Sequence, residues 1–314
     1  MDRMLAGVWT RKYTQVGERV GTQVEADSIA TSKSTVSEVF IEYTPTALGE
    51  LIARRLDDTR LAVMMLDGLD IAERVHIVAL GISTDGRKIP LGLWERSTEK
   101  RHPRTPAARR HLVDRGLDPG QAILFVPGGG KALRRAIKDV FGEHARVQRC
   151  QRHKERNVID LLPEKDRDRV LGRLRSAWAL SDPTQALQDL QALASELDRS
   201  WPDADASQRE GTDDTLTLMR LGIDGKLAKT LSSTNPIESM IEIVRHTQRN
   251  VKRRQDGDMR KRWTAAVMLV AEAQFRRIIG YSDLAKLVIA IEHRHLLLHS
   301  QNRAAHPVPE AATV

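Results

Sequence analysis

The sequence predicts an α/β fold with a mixed five-stranded sheet, and three observations support this. Arg74–Ile82 and Lys88–Glu95 alternate apolar and polar residues around Asp85-Gly86, a dipeptide typical of hairpin turns. Ala122–Val126 is entirely apolar, as a central parallel strand is. Residues 163–231 have helical apolar spacing and no strand pattern, which indicates a helical block beside the sheet.

The other elements follow from apolar spacing and from helix-terminating residues. A first strand, Arg60–Leu66, is expected to end at Asp67-Gly68, and Ala145–Cys150 is expected to be the fifth. Helices are predicted at Pro106–Arg115, Lys131–Phe141, Gln151–Leu162, Met259–Ile279 and Ser282–Leu298. Three antiparallel strands, then helix, strand, helix, strand and helix is the order of the ribonuclease H-like fold, which packs such a sheet between helices.

A helix near the N-terminus is predicted from the possible caps in Thr31–Ser37 and the apolar residues that follow. A short helix start rich in serine, threonine and lysine resembles the recognition helix of a helix-turn-helix. Lys33 and Ser34 are therefore candidate DNA contacts. A capped surface helix with no role in DNA binding fits the same residues equally well.

The uneven distribution of basic residues along the chain predicts a polyanionic partner. The 314-residue chain has a formal net charge of +8, and two stretches exceed that total: Arg245–Arg262 has a net charge of +6 and Arg146–Arg156 a net charge of +4. Nucleic acid is favoured over membrane because no amphipathic anchor accompanies these stretches, although charge runs can also be only a solvated face. The candidate DNA contacts here are Arg245, Arg249, Lys252, Arg253 and Arg254.

The chain lacks the sequence features of secreted and membrane proteins. Its N-terminus has no apolar signal-peptide core, and its longest apolar runs are far below the ~18 residues that a membrane helix needs. Cys150 is its one cysteine, so no internal disulfide can form. We therefore expect a soluble, cytoplasmic protein.

The segment from Ser232 to Glu238 predicts the start of a helix with a functional face. Thr234 or Asn235 can cap the helix, and Pro236 suits its first turn. Glu238, Glu242, Arg245 and Arg249 then share one side. A carboxylate followed by arginines could hold a metal and grip a phosphate; an ordinary amphipathic helix with Glu–Arg pairs is the alternative.

Asp67 is the second candidate ligand. The ends of central strands face the site crevice in sheets of this kind. Asp67 is expected at the end of the first strand, beside the end of the fourth, and a later helix can bring Glu238 to the same point. Three carboxylates at such places would bind two divalent cations ~4 Å apart, and Mg²⁺ suits that task. A turn aspartate with no further role is the alternative for Asp67.

Five separated motifs carry a resemblance to a known family. They are Met65-Leu66-Asp67-Gly68, Val78-Ala79-Leu80-Gly81-Ile82, Pro90-Leu91-Gly92-Leu93, Val147-Gln148-Arg149-Cys150-Gln151-Arg152-His153 and Ser233-Thr234-Asn235-Pro236-Ile237-Glu238-Ser239. The chain resembles the Mutator-type transposases of bacterial insertion sequences, which are DDE enzymes. The resemblance implies hydrolysis at the element ends, strand transfer of the 3′-hydroxyl, binding to terminal inverted repeats, and action as a homo-oligomer on DNA. It also implies Mg²⁺ or Mn²⁺, two ions in an intact site, Asp67 and Glu238 as catalytic metal ligands, and a helical insertion before Glu238.

One departure from the family pattern affects activity. Members carry Asp-Gly-x-Lys after the fourth strand; here Gly129 and Lys131 align, and Gly128 replaces the second catalytic Asp. Asp139 is about three helical turns away, too far to substitute. The glycines are not a phosphate-binding P-loop either, because Phe125 and Ala132 occupy its required positions.

The resemblance begins almost at Met1, whereas family members generally have a longer N-terminal DNA-binding region. Truncation and the lost Asp indicate a degenerate copy, so activity is in doubt. A catalytically dead protein that occupies the element ends is the alternative. A ribonuclease H-like nuclease unrelated to transposition is disfavoured by the helical insertion and the matching motifs.

Cys150 and His153 form a Cys-x₂-His motif after the fifth strand. A zinc site needs about four ligands and no second cysteine exists, so we expect these residues to pack and orient near the active site. We predict a helical DNA-binding region at 1–58, a catalytic core at 59–162 plus 232–256, a helical insertion at 163–231, C-terminal helices at 257–299 and a disordered tail at 300–314.

Overall fold

A computed structural model describes residues 33–71, 74–95, 111–129, 131–141, 145–249 and 257–305. The strands are β1 (Leu61–Ile71), β2 (Arg74–Ser83), β3 (Lys88–Glu95), β4 (Leu124–Pro127) and β5 (Arg146–Val147). The helices are α1 (Lys33–Ala53), α2 (Lys131–Phe141), α3 (Gln151–Ile159), α4 (Glu164–Trp178), α5 (Pro183–Asp198), α6 (Pro202–Arg209), α7 (Thr217–Arg220), α8 (Gly225–Leu231), α9 (Asn235–Arg249), α10 (Gly257–Gln274) and α11 (Leu284–Ala305).

The five strands form one mixed sheet in the order β3-β2-β1-β4-β5. β1 pairs antiparallel with β2 and parallel with β4, β2 pairs antiparallel with β3, and β4 pairs parallel with β5. The turn between β2 and β3 contains Gly86 at φ +86°, which favours glycine. The prediction of a mixed five-stranded sheet in an α/β chain is therefore confirmed.

β1 is longer than the sequence predicted. It continues through Asp67 and Gly68 to Ile71, because β2 pairs with it along its whole length, from Leu61 opposite Ser83 to Ile71 opposite Arg74. On its other side, β4 stops at Pro127, opposite Leu66. The expectation that Asp67 ends its strand, and the alternative of a turn aspartate, are both wrong. Asp67 lies where the parallel neighbour ends, so the crevice opens beside it.

Helices cover both faces of the sheet. Alternate residues of β1 point to opposite sides: Val63 and Met65 join a core with the helices α1 and α7–α11, whereas Met64 and Leu66 join a second core with α2. Asp67 has the same parity as Val63 and Met65. Its side chain therefore lies on the face that α9 covers.

The predicted strandless region is helical, and a third apolar cluster holds it together. Leu174, Leu190, Leu193 and Leu197 lie in that cluster, and Trp201 packs against it. At the C-terminus the structure differs from the sequence interpretation: α11 continues to Ala305, past the tail predicted from Ser300. Ala304 and Ala305 favour helix.

Candidate active site

Three side chains from three elements converge at the crevice. Asp67 comes from β1, His153 from α3 and Glu238 from the first turn of α9, and each offers one ligand atom within 4.8 Å of the others. All three are partly buried, and Asp67 and Glu238 are the two carboxylates that the sequence indicated. The chain therefore brings an imidazole and two carboxylates to one point.

The local fold fixes the position of Glu238. Ile237, Met240 and Ile241 are buried against the sheet, which sets the rotation of α9 about its axis. Glu238 consequently projects toward the edge of the sheet where Asp67 lies. Its backbone amide donates to the carbonyl of Thr234 at 2.9 Å, within the first turn of the helix.

The start of α3 positions His153. Cys150 is the N-cap residue, and its thiol accepts a hydrogen bond from the amide of His153 at 3.5 Å. The amide of Gln151 donates to the carbonyl of Ser232 at 2.8 Å, which joins the start of α3 to the segment before α9. Cys150 is buried, so its role here is to shape the site. The expectation that Cys150 and His153 pack near Glu238 agrees with this geometry.

Thr234 links these elements, and the sequence interpretation considered it only as a helix cap. Its side chain is fully buried. The hydroxyl donates to Oε1 of Glu238 at 2.9 Å, and lies 3.3 Å from Nδ1 of His153 and 3.4 Å from Sγ of Cys150. The signal that could have revealed this role is spacing, because Thr234 and Glu238 are four residues apart and face each other across one turn.

The environment raises the pKa of two members of the cluster. Burial raises the pKa of Asp67, partly offset by a hydrogen bond from the amide of Gly68 and by His153. The pKa of His153 is raised, first by its hydrogen bond with Cys150 and further by Asp67 and Glu238, against the effect of burial. Burial thus opposes the charged form of Asp67, and a bound cation would favour that charged form.

Gly128 faces the same cluster. Its amide donates to the carbonyl of Leu66 at 2.7 Å, which extends the β1–β4 pairing by one residue. A Cβ atom on Gly128 would lie 2.6 Å from Cγ of Asp67, and one on Gly129 would lie 3.0 Å from Cδ2 of His153. A side chain at position 128 would therefore stand directly beside the carboxylate of Asp67.

The family model described as "Transposase, Mutator family" matches residues 1–277. The chain belongs to the Mutator family of transposases. The chain is 30% identical over 245 residues to the transposase of insertion sequence element ISRM5 from Rhizobium meliloti (strain 1021), which covers 78% of this chain and 60% of the relative. It is 28% identical over 248 residues to that of IS905 from Lactococcus lactis subsp. lactis (strain IL1403), with 78% and 61% covered.

A third relative gives the same result. The transposase of IS256 in transposon Tn4001 from Staphylococcus aureus is 26% identical over 263 residues, which cover 80% of this chain and 64% of the relative. The chain therefore spans about three fifths of the length of the curated relatives it matches. The family predicted from the five motifs is confirmed.

In this Mutator-family chain the candidate DNA contacts are only partly described. Arg245 is exposed on α9. It lies close enough to Asp67 to offset a small part of the rise in the pKa of that carboxyl. Lys33 and Ser34 begin α1 and Arg249 ends α9, but their side chains lie outside what the structure describes, as do the residues Lys252, Arg253 and Arg254.

The second basic stretch faces solvent only in part: Arg152 and Arg156 are exposed, but two of its charges are buried. Arg149 is 6% exposed and Lys154 is 0% exposed. Arg149 donates to the carbonyl of Glu210 at 2.6 Å and to its carboxylate, and Lys154 donates to the carbonyls of Ser207 and Glu210. These two charges point inward because backbone carbonyls of the helical region receive them, and sequence alone does not reveal such partners.

None of the described helices combines the length and apolarity that crossing a membrane requires.

Proposed function

We propose that this chain is a transposase subunit that binds the terminal inverted repeats of an insertion element and has a DDE-type catalytic centre at Asp67, Glu238 and position 128. The observation that carries the proposal is the convergence of Asp67 and Glu238 within 4.8 Å in a chain of the Mutator family. The reaction is hydrolysis of DNA at the element ends followed by strand transfer of the 3′-hydroxyl.

We infer a ribonuclease H-like core for this centre. The strand order β3-β2-β1-β4-β5, with the first three strands antiparallel and the last two parallel to β1, supports that assignment. The helices between α3 and α9 correspond to the helical insertion proposed for residues 163–231. The other divisions of the chain stay as proposed from the sequence, with residues 1–58 as the DNA-binding region.

The donor set fits a divalent cation. Asp67 and Glu238 supply carboxylate oxygens, which Mg²⁺ and Mn²⁺ accept, and the raised pKa of Asp67 reflects negative charge held in a partly buried place. When bound, such ions stabilise the attacking and leaving oxygens of phosphoryl transfer, and an intact family site is expected to hold two. Thr234 holds Glu238 in place, and Arg245 draws a DNA phosphate toward the carboxylates.

Gly128 makes this centre incomplete. Position 128 stands beside Asp67, where a second carboxylate would share its cation. Losing a metal ligand that contributes ~4 kcal/mol to transition-state stabilisation slows the reaction about a thousandfold. We therefore propose that this copy folds and binds DNA but cleaves it very slowly. The alternative function is occupation of the element ends without catalysis, and Gly128 is the observation that favours it.

The exposed side chain of Arg245 on α9 supports DNA as the partner. Arg245 projects from the same helix as Glu238, so a strand bound along α9 would pass the carboxylates. We propose that Arg249, Lys252, Arg253 and Arg254 continue this surface, that Lys33 and Ser34 contact the element ends, and that the active form is a homo-oligomer on DNA. The protein is proposed to act in the bacterial cytoplasm, associated with the nucleoid.

A cleavage assay tests the proposal. Wild type, Gly128→Asp and Gly128→Asn are incubated with Mn²⁺ and a short, concentrated duplex that carries the terminal repeat of the element. Gly128→Asp requires the Asp67 carboxylate to rotate away, since a Cβ there would lie 2.6 Å from its Cγ. We expect Gly128→Asp to cleave at least a hundredfold faster than wild type, and Gly128→Asn, which matches its size without the charge, to stay near wild type.

Two results would count against the proposal. Equal and substantial cleavage by wild type and Gly128→Asp would show that position 128 is not catalytic. Failure of all three proteins to bind the duplex at low salt would remove the terminal repeat as their substrate. Binding without cleavage by any of the three would favour the alternative function of end occupation.

A further inference from the structure

We propose that this site holds a single ion, with His153 as the third protein ligand beside Asp67 and Glu238, and that it prefers an imidazole-accepting metal such as Mn²⁺, Co²⁺ or Zn²⁺ over Mg²⁺. The inference deepens the proposed function, and it concerns the same site. Only the role of the ion in DNA cleavage rests on the proposed function. The ligand set itself is read from the geometry of the chain.

The spacing of the ligand atoms fits one shared ion. Ligand atoms bound to the same metal at ~2.0–2.2 Å lie up to about 4.4 Å apart. The ligand atoms of Asp67, His153 and Glu238 lie within 4.8 Å of one another, so side-chain movements of up to about 1 Å bring all three onto one ion. Three protein ligands with an open position form the usual pattern of a catalytic metal site.

The missing side chain at position 128 allows this arrangement. The Asp67 carboxylate lies where a Cβ of residue 128 would approach it, and Gly129 similarly leaves room for the His153 ring. A carboxylate at position 128 would push Asp67 aside and bring a third anionic ligand to the cation. Without it, the group that joins the two carboxylates in the described part of the site is the imidazole of His153.

Thr234 contacts both Glu238 and the imidazole of His153. Its hydroxyl has one proton and donates it to Glu238, which as a carboxylate can only accept. The contact between the hydroxyl oxygen and Nδ1 of His153 is then a hydrogen bond only if Nδ1 carries the proton. One hydroxyl therefore holds the Glu238 carboxylate and the His153 ring side by side, as outer-shell partners do for metal ligands.

The donor types determine the choice of ion. Mg²⁺ strongly prefers oxygen ligands, whereas one imidazole with two carboxylates suits transition metals of intermediate softness. The binding partner is thus a divalent transition-metal ion, held one per chain. Binding of this ion by the wild-type chain does not require residue 128 to be acidic.

Electron paramagnetic resonance of Mn²⁺ tests the ligand set in the full chain. Free Mn²⁺ gives a sharp spectrum that is lost on binding, so a titration counts the ions, and nitrogen coupling in pulsed spectra reports imidazole coordination directly. We expect one bound Mn²⁺ per chain with nitrogen coupling, and displacement by equimolar Zn²⁺ but only by a large excess of Mg²⁺. Two bound ions, or one without nitrogen coupling, would overturn the proposal.

Variants identify the histidine. His153→Gln should remove the nitrogen coupling and weaken Mn²⁺ binding at least tenfold, whereas His246→Gln, at an exposed position on α9, should change neither. Circular dichroism without metal checks that each variant folds. If His153→Gln does not fold, the nitrogen coupling in the Mn²⁺ spectrum of the wild type is the test. Unchanged coupling in a folded His153→Gln protein would contradict the assignment.

Thr234 is a positioning residue, and its test separates positioning from packing. Thr234→Val keeps the shape of the buried side chain and removes the hydroxyl, so we expect Mn²⁺ affinity to fall about 10–100-fold, as for outer-shell partners of metal-bound histidines. Thr234→Ser retains the hydroxyl and should restore most of the affinity. Equal affinity of the valine and serine variants would show that the hydroxyl does not act on the ligands.

The two proposals can fail separately. If Mn²⁺ binds with nitrogen coupling and no variant cleaves DNA, the metal site stands and the proposed transposase activity falls. If Gly128→Asp cleaves DNA but the wild-type spectrum lacks nitrogen coupling, the activity stands and the one-ion site falls.

Discussion

One short segment, residues 147–156, serves two regions of the molecule that differ in how they use polar groups. On one side, Cys150 and His153 face the carboxylates of Asp67 and Glu238; with Thr234, these five residues are called the site cluster. On the other side, the residues of the junction cluster, Gln148, Arg149 and Lys154, bind the helical region between Ser207 and Leu218.

The two clusters differ in how their buried polar groups are compensated. In the junction cluster, Gln148 donates to the carbonyls of Arg149 and Thr215 and accepts from the amide of Leu218, and it is fully buried. In the site cluster, two carboxylates approach each other and the pKa of Asp67 is raised by burial. Saturated buried polar groups stabilise a fold, whereas an excess of one charge in a partly open cleft favours a ligand. The comparison indicates that the junction cluster maintains the fold and the site cluster binds.

The largest expected effect is on the junction cluster. Lys154→Met keeps the apolar stem but leaves the carbonyls of Ser207 and Glu210 without their ammonium donor. Each buried polar group left unsatisfied costs ~1–3 kcal/mol, so we expect the free energy of unfolding in urea to fall by about 3 kcal/mol. Arg156→Gln, an exposed change on the same helix, is the control and should stay within ~0.5 kcal/mol. Equal stability of the two variants would mean that Lys154 does not hold the helical region.

The site cluster should respond in the opposite direction. Asp67→Asn removes a charge whose burial raises the pKa of the carboxyl in the metal-free protein, so we expect the free energy of unfolding to rise by about 1 kcal/mol. The same variant should lose most of its affinity for Mn²⁺. Urea unfolding in the presence of a chelator measures the first effect, and Mn²⁺ titration measures the second. A clear loss of stability in the metal-free variant would place Asp67 with the residues that maintain the fold.

Arg245 tests whether DNA binds beside the site cluster. Each phosphate contact adds ~0.9 to the slope of log K against log salt concentration. Arg245→Ala should therefore lower that slope by about 1, and Arg245→Lys should keep it because the charge remains. Fluorescence anisotropy of a labelled duplex across a salt series measures both. An unchanged slope for Arg245→Ala would remove this side chain from the DNA interface.

The smallest effect is expected at the edge of the junction region. Arg220 donates hydrogen bonds to both carboxylate oxygens of Asp213 and lowers its pKa. A carboxyl whose pKa is lowered by folding adds stability above its unfolded pKa and loses it as pH falls through the folded value. Because Asp213 is largely exposed, solvent screens the pair and the gain is under ~1 kcal/mol.

Asp213→Asn tests that gain. The variant should be slightly less stable than wild type at pH 7, and the two should converge below the pKa of Asp213. Urea unfolding at both pH values measures the difference. A difference that persists at the lower pH would assign the effect to packing and not to charge.

Strand periodicity and turn residues were sufficient to predict most of the sheet. The hairpin at Asp85-Gly86 and the apolar run that becomes β4 lie where the patterns place them. The extent of β1 was not predictable, because it depends on pairing with β2 beyond Asp67, which a turn-forming Asp-Gly dipeptide conceals. The order of the elements can therefore be predicted from local sequence patterns, whereas the end of a strand depends on pairing with strands distant in sequence.

The candidate site was predictable to a similar degree. Motif spacing identified Asp67 and Glu238, but not that His153 joins them, because a Cys-x₂-His pair without further ligands does not indicate a metal site by itself. The inward direction of Arg149 and Lys154 was missed for a physical reason. A basic residue in a charge run looks the same in sequence whether it faces solvent or a set of backbone carbonyls.

The central claim is that Asp67, Glu238 and position 128 form one catalytic centre. Cleavage of a terminal-repeat duplex with Mn²⁺ by Gly128→Asp, compared with the double variant Gly128→Asp/Glu238→Gln, tests it most directly. We predict that Gly128→Asp cleaves at least a hundredfold faster than wild type and that adding Glu238→Gln returns cleavage to the wild-type rate or below. A double variant as active as Gly128→Asp would contradict the claim.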